Sequence, residues 1–438
     1  MAKTKYSIKA FVFVAVLFFL FGGLTVMVQL LVPHLRDIFE LDYFHSASLL
    51  FFFFLPYLLF SIPAGLVLTK IGYQRGMVLG LVLIAIGALL FHPAANERSF
   101  RIYMLAVFVL GSGITFLQVA ANPYVSILGS EDTTPTRLTF SQAFNALGTT
   151  IAPIIMSVYL LKEEIKTSAE LNFLDNIDRT IYFQGEALAI QLPSLYIALA
   201  AVFLALLFTV IKIPCSRKVE CFDKEDYIDL LKKNSLLLAA VGIFVYVGAE
   251  VVIGSFAINY FVEINIAKEV LESPILYSFV EGIDSLFGKD NLTSGDPEGI
   301  VGIFLSFYWG GLLMGRLIGA YLTKFFNSSY MLIGASFAAI WAILISINST
   351  GLLSMFSLLS VGFFNAIMFP TIFTLGSQEV SLKTQASGIL CTAIVGAGLI
   401  PLFYGYLTDA IGFRLAFLTL VVCYGYIIFF GYYKRFVG

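Results

Sequence analysis

The chemistry open to this chain rests on a few polar side chains set inside long apolar runs. Gln118 and Asn122 stand four residues apart in Leu117-Gln-Val-Ala-Ala-Asn122-Pro123-Tyr124, and Gln142 and Asn145 stand three apart in Ser141-Gln142-Ala-Phe-Asn145. On a helix, both spacings put the two amides on one face. Each amide offers donors and an acceptor, so four of them on consecutive helices could bind the hydroxyls of a sugar. The competing role is to bond helix to helix, worth under about 1 kcal/mol per bond, and the two roles can coexist. Pro123 cannot donate a backbone bond, which leaves a carbonyl one turn earlier to a side chain, water or a solute. A plain kink, with Asn122 satisfying its own backbone, is the alternative.

Glu250 is the clearest carboxylate within an apolar run. Placing such a charge at mid-span costs on the order of 3 kcal/mol, so the group is either a proton carrier or the partner of Arg316, a cation lying well inside a run. Asn259 lies further along the same segment as Glu250. Trp309 and Tyr308 could stack on the apolar face of a sugar, and Phe369, beside Pro370, could wall a pocket. With 44 Phe and 22 Tyr in the chain, packing or lipid contact competes with each aromatic assignment. No nucleophile, base and orienting group occur together, and no cluster of metal ligands appears, which argues against an enzyme and against a metal centre.

The elements that must position these groups follow from composition. The chain has 438 residues, of which 59% are hydrophobic and 12% charged, so lipid must be its solvent. A spanning helix needs roughly 20 apolar residues. Runs of that kind are expected at 8–34, 46–70, 74–95, 100–128, 138–162, 191–213, 235–263, 298–323, 328–348, 350–377, 384–408 and 412–436. This is an all-α membrane protein of twelve transmembrane helices. The first run has no small-residue cleavage site and reads as a retained helix. With the N-terminus inside, sixteen Lys and Arg fall on inner segments and nine on outer ones, so the positive-inside rule expects both termini in the cytoplasm.

The formal net charge of −2 and the lack of a basic stripe exclude nucleic acid as a partner. Cys215 and Cys221 lie in an inner loop where disulfides rarely persist, with no histidine near enough to suggest a metal pair; Cys391 and Cys423 lie in spans. His34, His45 and His92 fall at the outer ends of spans and suit anchoring at the interface. Two long outer breaks, 163–190 and 264–297, are either poorly ordered or packed as caps. The inner break ends in Phe-Asp-Lys-Glu-Asp-Tyr227-Ile-Asp-Leu230-Leu231-Lys-Lys-Asn, a candidate amphipathic surface helix with Tyr227, Leu230 and Leu231 on one face.

Internal repetition organises the whole. Gly65-Leu-Val-Leu-Thr69-Lys70 recurs as Gly319-Ala-Tyr-Leu-Thr323-Lys324, an offset of 254; Pro123 to Ser130 recurs as Pro370 to Ser377, an offset of 247; and Gly148 to Pro153 recurs as Gly396 to Pro401, an offset of 248. Three matches in one order at nearly one spacing argue for a duplicated six-helix unit. The expected domains are a bundle over 1–213, a cytoplasmic linker over 214–234 and a second bundle over 235–438.

These features resemble the major facilitator superfamily, whose fold of two pseudo-symmetric six-helix bundles is implied for this chain. The two Gly-x-x-x-x-Lys copies resemble its Gly-x-x-x-Asp-Arg signature with Thr69 and Thr323 in the acidic position. Gly405-Tyr-Leu-Thr-Asp409-Ala-Ile-Gly412-Phe-Arg414 resembles its eleventh-to-twelfth-helix junction. Leu117 to Tyr124, Gln142-Ala-Phe-Asn145, Tyr246-Val-Gly-Ala-Glu250, Gly254-Ser-Phe, Asn259-Tyr260, Tyr308-Trp309-Gly-Gly, Gly315-Arg316 and Phe369-Pro370-Thr371 narrow the likeness to the fucose:proton symporter family and its glucose/galactose branch. That resemblance implies sugar transport and a bacterial inner-membrane location, with Gln142 and Asn145 at substrate-contacting positions. It also implies a departure. Gln29 and Gln118 stand where the family carries acids, and an amide cannot exchange a proton near neutral pH.

The expectation is therefore a secondary transporter of a monosaccharide such as glucose, galactose or fucose, working as a monomer in the bilayer by alternating access, with no cofactor and no metal. The expected binding set is Gln118, Asn122, Gln142, Asn145, Glu250, Asn259, Trp309 and Phe369. Coupling candidates are Glu250, Gln29 and Arg316, with H+ or Na+ as the ion; for Na+, the carbonyl oxygens of Gln29, Gln118 and Asn122 would complete a cage. An uncoupled sugar facilitator and a sugar sensor that does not transport are the alternatives.

Overall fold

A computed structural model describes residues 2–128, 134–160, 176–210, 229–286, 297–322, 325–378, 380 and 383–436. Within an apolar solvent every backbone donor must be satisfied inside its own segment, so apolar runs become helices. The first half holds α1 (Ala2–Phe39), α2 (Tyr43–Ile71), α3 (Tyr73–Asn96), α4 (Phe100–Ile127), α5 (Thr134–Leu160), the shorter α6 (Asn176–Ala189) and α7 (Gln191–Val210). The second half holds α8 (Asn234–Glu263), the short α9 (Ile266–Glu272) and α10 (Pro274–Leu286), then α11 (Pro297–Leu322), α12 (Ser328–Asn348), α13 (Gly351–Asn365), α14 (Met368–Ser377), α15 (Lys383–Thr392), α16 (Gly396–Ile411), α17 (Phe413–Ala416) and α18 (Leu418–Phe436). Among the described residues, eleven stretches are long and apolar enough to cross a bilayer, and α5, 27 residues long, lies where the remaining expected span falls.

Three expected single spans are broken, the twelfth of them by the turn at Phe417 between α17 and α18. The tenth opens at Ala366 and Ile367, between α13 and α14. Pro370 lacks the N–H that the Ala366 carbonyl would accept, so the helical ladder cannot run through. The eleventh is divided between α15 and α16 by a 3-10 turn, Ala393–Val395. By contrast, α2 carries Pro56 and Pro63, α3 carries Pro93 and α4 carries Pro123 without interruption.

Ends and turns are set locally. Asp42 accepts the His45 amide N–H at 2.6 Å and lies 2.7 Å from the His45 ring nitrogen, capping α2. Desolvation pushes the Asp42 carboxyl up, but the His45 backbone and side-chain hydrogen bonds and the charge of that imidazole outweigh it, so the carboxyl titrates below the ordinary carboxylate range. Gly72 and Gly412 close α2 and α16 at φ of +83° and +78°, a conformation that a side chain would strain. Both donate back to a carbonyl four residues earlier, Leu68 and Thr408.

The long break after α5 packs as a cap where it is described. In α6, Gln184 donates to the Ala95 and Asn96 carbonyls at 3.2 and 3.1 Å, and Arg98 lies 4.6 Å over the Phe183 ring. In α9, the Glu269 carboxylate accepts the Leu352 amide at 3.0 Å. Residues 161–175 and 287–296 of the two long breaks, the linker from 214 to 228 with Cys215, Cys221 and Tyr227, and Thr323 lie outside the described residues; of the amphipathic face, Leu230 is buried and Leu231 exposed.

The halves meet along α2 with α16, α5 with α11 and α1 with α8. Bare backbone lets helices approach: a Cβ on Gly148 of α5 would strike the Phe19 carbonyl of α1. On the face away from the chain termini, the Asp409 carboxylate accepts the Tyr43 and Phe44 amides at 3.2 and 3.0 Å. The Tyr43 ring packs edge-on to Phe413, with centroids 4.9 Å apart, and sits under the Arg36 guanidinium at 4.1 Å.

Candidate functional site

A cavity lies between the halves. The first half lines it with Thr25 and Gln29 of α1, Phe54 and Tyr57 of α2, Gln118 of α4, and Gln142, Asn145 and Thr149 of α5. The second half supplies Glu250 of α8, Trp309 and Arg316 of α11, Phe369 of α14 and Ile394 of the 3-10 turn. Six of the eight expected binding residues thus meet in one place, as do all three coupling candidates. Asn122 and Asn259 do not: both are buried, but neither lines the cavity. Asn122 is one turn along α4 from Gln118, about 6 Å further down the axis, and that displacement takes it out of the cavity.

Arg316 is the hub between halves. Its Nη1 donates to the Gln142 carbonyl at 2.6 Å and to Asn145 Oδ1 at 3.3 Å, crossing from α11 to α5. Asn145 Nδ2 continues to the Phe18 carbonyl of α1 at 3.4 Å. Among the described residues, Glu250 and Arg316 form no ion pair, which speaks against the second of the two alternatives for Glu250: the guanidinium reaches two acceptors on the other half instead. The carboxylate is bonded on its own side, accepting the Tyr246 hydroxyl at 2.9 Å.

Behind Glu250 lies a polar cluster that sequence reasoning did not assign. The Tyr246 hydroxyl is also 3.0 Å from the Asn365 carbonyl, Asn365 Nδ2 donates to the Tyr308 hydroxyl at 2.9 Å, and Tyr424 donates to Asn365 Oδ1 at 2.8 Å. Tyr308 in turn reaches the Glu250 carbonyl at 3.3 Å. Two signals pointed to it: Tyr246 and Glu250 at a one-face spacing of four, and an asparagine in the apolar run Gly362-Phe-Phe-Asn365-Ala-Ile-Met-Phe-Pro370.

Several polar atoms in the cavity wall have no protein partner among the described residues: Gln29 Oε1, Trp309 Nε1 and Arg316 Nε. Their residues are only 1%, 3% and 6% exposed. Buried polar atoms are nearly always bonded, and this shared wall has an acceptor and two donors to offer to water or a polar solute. Gln29 is held close to the bare backbone of Gly254, where a Cβ would meet its Oε1 and, at 2.8 Å, the Trp309 ring.

The chain matches the family model of the Major Facilitator Superfamily over residues 13–394. It is 40% identical to a glucose/galactose transporter of Brucella abortus over 418 residues, 95% of this chain and 91% of that protein. It is 27% identical to the L-fucose-proton symporter of Escherichia coli, covering 94% of this chain and 89% of the symporter. The crystal structure of FucP, a transporter of the same superfamily in the outward conformation, aligns with a TM-score of 0.74 at 26% identity over 98% of this chain and 99% of FucP.

Proposed function

Because the chain belongs to the Major Facilitator Superfamily, we propose that it carries a monosaccharide of the glucose and galactose kind across a bacterial inner membrane, by alternating access and in symport with protons. It is a multi-pass membrane transporter and not an enzyme. The observation that carries the substrate class is the cavity wall itself, with four amide side chains and unpartnered buried atoms of Gln29, Trp309 and Arg316 drawn from both halves.

In this reading Gln118, Gln142, Asn145 and Glu250 bond the sugar hydroxyls, Trp309 and Phe369 cover its apolar faces, and Gln29 supplies one acceptor more. Asn122 and Asn259 stand outside the set. Selectivity arises because a sugar with the wrong hydroxyl pattern leaves a buried amide unpaired. Glu250 is the proton carrier. Residues 1–213 and 235–438 are the two rocking bundles of a monomer, joined by 214–234, with both termini cytoplasmic. The sixteen-to-nine distribution of Lys and Arg supports that orientation, and it makes the Asp409 contact part of the outer closure.

A second reading, an uncoupled facilitator, is favoured by Gln29 and Gln118, uncharged amides in the cavity wall at positions where the family resemblance implies acids. Uptake of labelled glucose, galactose, fucose and N-acetylglucosamine into proteoliposomes, with and without an imposed pH gradient, separates the two. Accumulation of glucose or galactose above equilibrium, lost in Glu250→Gln while counterflow survives, is the expected result. Equilibration without accumulation establishes the facilitator, and the absence of any sugar flux overturns the substrate class.

A further inference from the structure

The Tyr246 hydroxyl has a single proton and two acceptors, Glu250 Oε1 at 2.9 Å and the Asn365 carbonyl at 3.0 Å. An ionised Glu250 holds that proton, because a bond to a charged acceptor is roughly twice as strong as a neutral one. A protonated Glu250 is itself a donor. Its O–H then points to the Tyr246 oxygen, and the Tyr246 proton turns to the Asn365 carbonyl.

That carbonyl occupies a sensitive position. Asn365 is the last residue of α13, at the edge of the break before α14, and is fully buried. Its side chain is clamped from α11 by Tyr308 and from α18 by Tyr424. Only its backbone oxygen gains or loses a partner with the state of Glu250. One turn beyond the break, Phe369 lines the cavity.

We propose that Tyr246 and Asn365 are positioning residues of the transport cycle: through the Tyr246 hydroxyl, the protonation state of Glu250 sets whether the Asn365 carbonyl is bonded, and so sets the α13–α14 break and the placement of Phe369 against the sugar. The inference rests on Glu250 being the proton carrier of the sugar site. One proton enters from solution and binds the Glu250 carboxylate; Tyr246 keeps its own and only reorients it. The ionisable groups around Glu250 are Tyr246 on its own helix, Tyr308 and Arg316 from α11 and Tyr424 from α18, with Tyr57 of α2 on the same cavity. The thiols Cys391 and Cys423 lie beyond Tyr57 and Tyr424. From α1 and α14 the cavity receives Gln29 and Phe369, which do not titrate.

The test compares wild type with Tyr246→Phe, Pro370→Ala, Tyr426→Phe and Glu250→Gln in proteoliposomes, reading sugar counterflow, gradient-driven accumulation and sugar affinity in acidic and alkaline buffer. Wild type is expected to show a pH-dependent affinity of about tenfold, the usual size of such a coupling. Tyr246→Phe keeps counterflow but loses the accumulation and all of the pH dependence except what Glu250 imposes through its own bond to the sugar. Pro370→Ala, which restores an N–H to the break, shifts in the same direction with the Glu250–Tyr246 bond intact. Tyr426→Phe removes a similar bond, to the Leu238 carbonyl, and behaves as wild type. Full pH dependence in Tyr246→Phe or in Pro370→Ala overturns the relay. Full pH dependence in Glu250→Gln shows instead that the carrier itself was misassigned.

Discussion

The carboxylate of Asp409, on α16 of the second half, sits across the first backbone amides of α2 in the other half and accepts the Phe44 N–H at 3.0 Å. A negative group at a helix start bonds orphan donors and meets the positive end of the helix dipole, so this contact closes one face of the protein without an ion pair. Asp409→Ala is expected to move the population severalfold towards the form open on that face, with Asp409→Asn, which keeps an acceptor, intermediate. Distances between spin labels at the exposed Glu40 and Glu263 read the shift; an unchanged distribution removes Asp409 from the closure.

Arg316 binds two acceptors on α5 at once through its Nη1; a lysine ammonium has donors enough for both but ends one atom sooner along the side chain. Removing it leaves the Gln142 and Asn145 oxygens short of a donor in the cavity wall. Such a loss costs about 1–3 kcal/mol, so Arg316→Gln should weaken sugar counterflow by tenfold or more. Arg316→Lys should recover only part of it. Counterflow equal to wild type in the lysine variant shows that the extra reach of the guanidinium is not needed.

Gly254 has no room for a side chain beside Gln29 and Trp309. Because the first obstacle is the far end of a flexible glutamine, Gly254→Ala should still fold while displacing Gln29 from the cavity wall. The expected effect is a raised KM for the sugar with little change in the maximal rate. An unaltered KM would show that Gln29 takes no part in binding.

Asp42 gives a pH dependence whose sign is fixed. Its carboxyl is depressed in the folded protein relative to about 3.9 in an unfolded chain. The cap therefore contributes stability that is fully present above that unfolded value and is lost as pH falls through the lower folded value. Thermal unfolding in detergent should show wild type losing its advantage over Asp42→Ala across that acid window. Parallel curves for the two proteins at all pH values would show that the cap carries no pH-dependent stability.

The spans were legible because lipid leaves a long apolar run no other structure to adopt. Gln118, Gln142, Asn145, Glu250, Trp309 and Phe369 were legible as a set because polar side chains at one-face spacings in such runs have few places to go. Depth along a helix was not legible: spacing fixes the face of Asn122 and Asn259, not their level in the membrane. Nor was the reach of Arg316, which passes over Glu250 for acceptors 171 and 174 residues away in sequence. The Asn365 cluster joins α8, α11, α13 and α18, and no local pattern brings four helices together.

The prolines of the first half are threaded through unbroken helices, as Pro401 is in α16, whereas the spans of the second half open at Ala366–Ile367, at Ala393–Val395 and at Phe417. Compliance is therefore concentrated on one side of the cavity. The first six spans serve as a stiff anvil, and the second six yield where Phe369 and Ile394 face the solute. A machine built from a duplicated part has divided the labour unequally between its copies: one holds the shape, and the other gives.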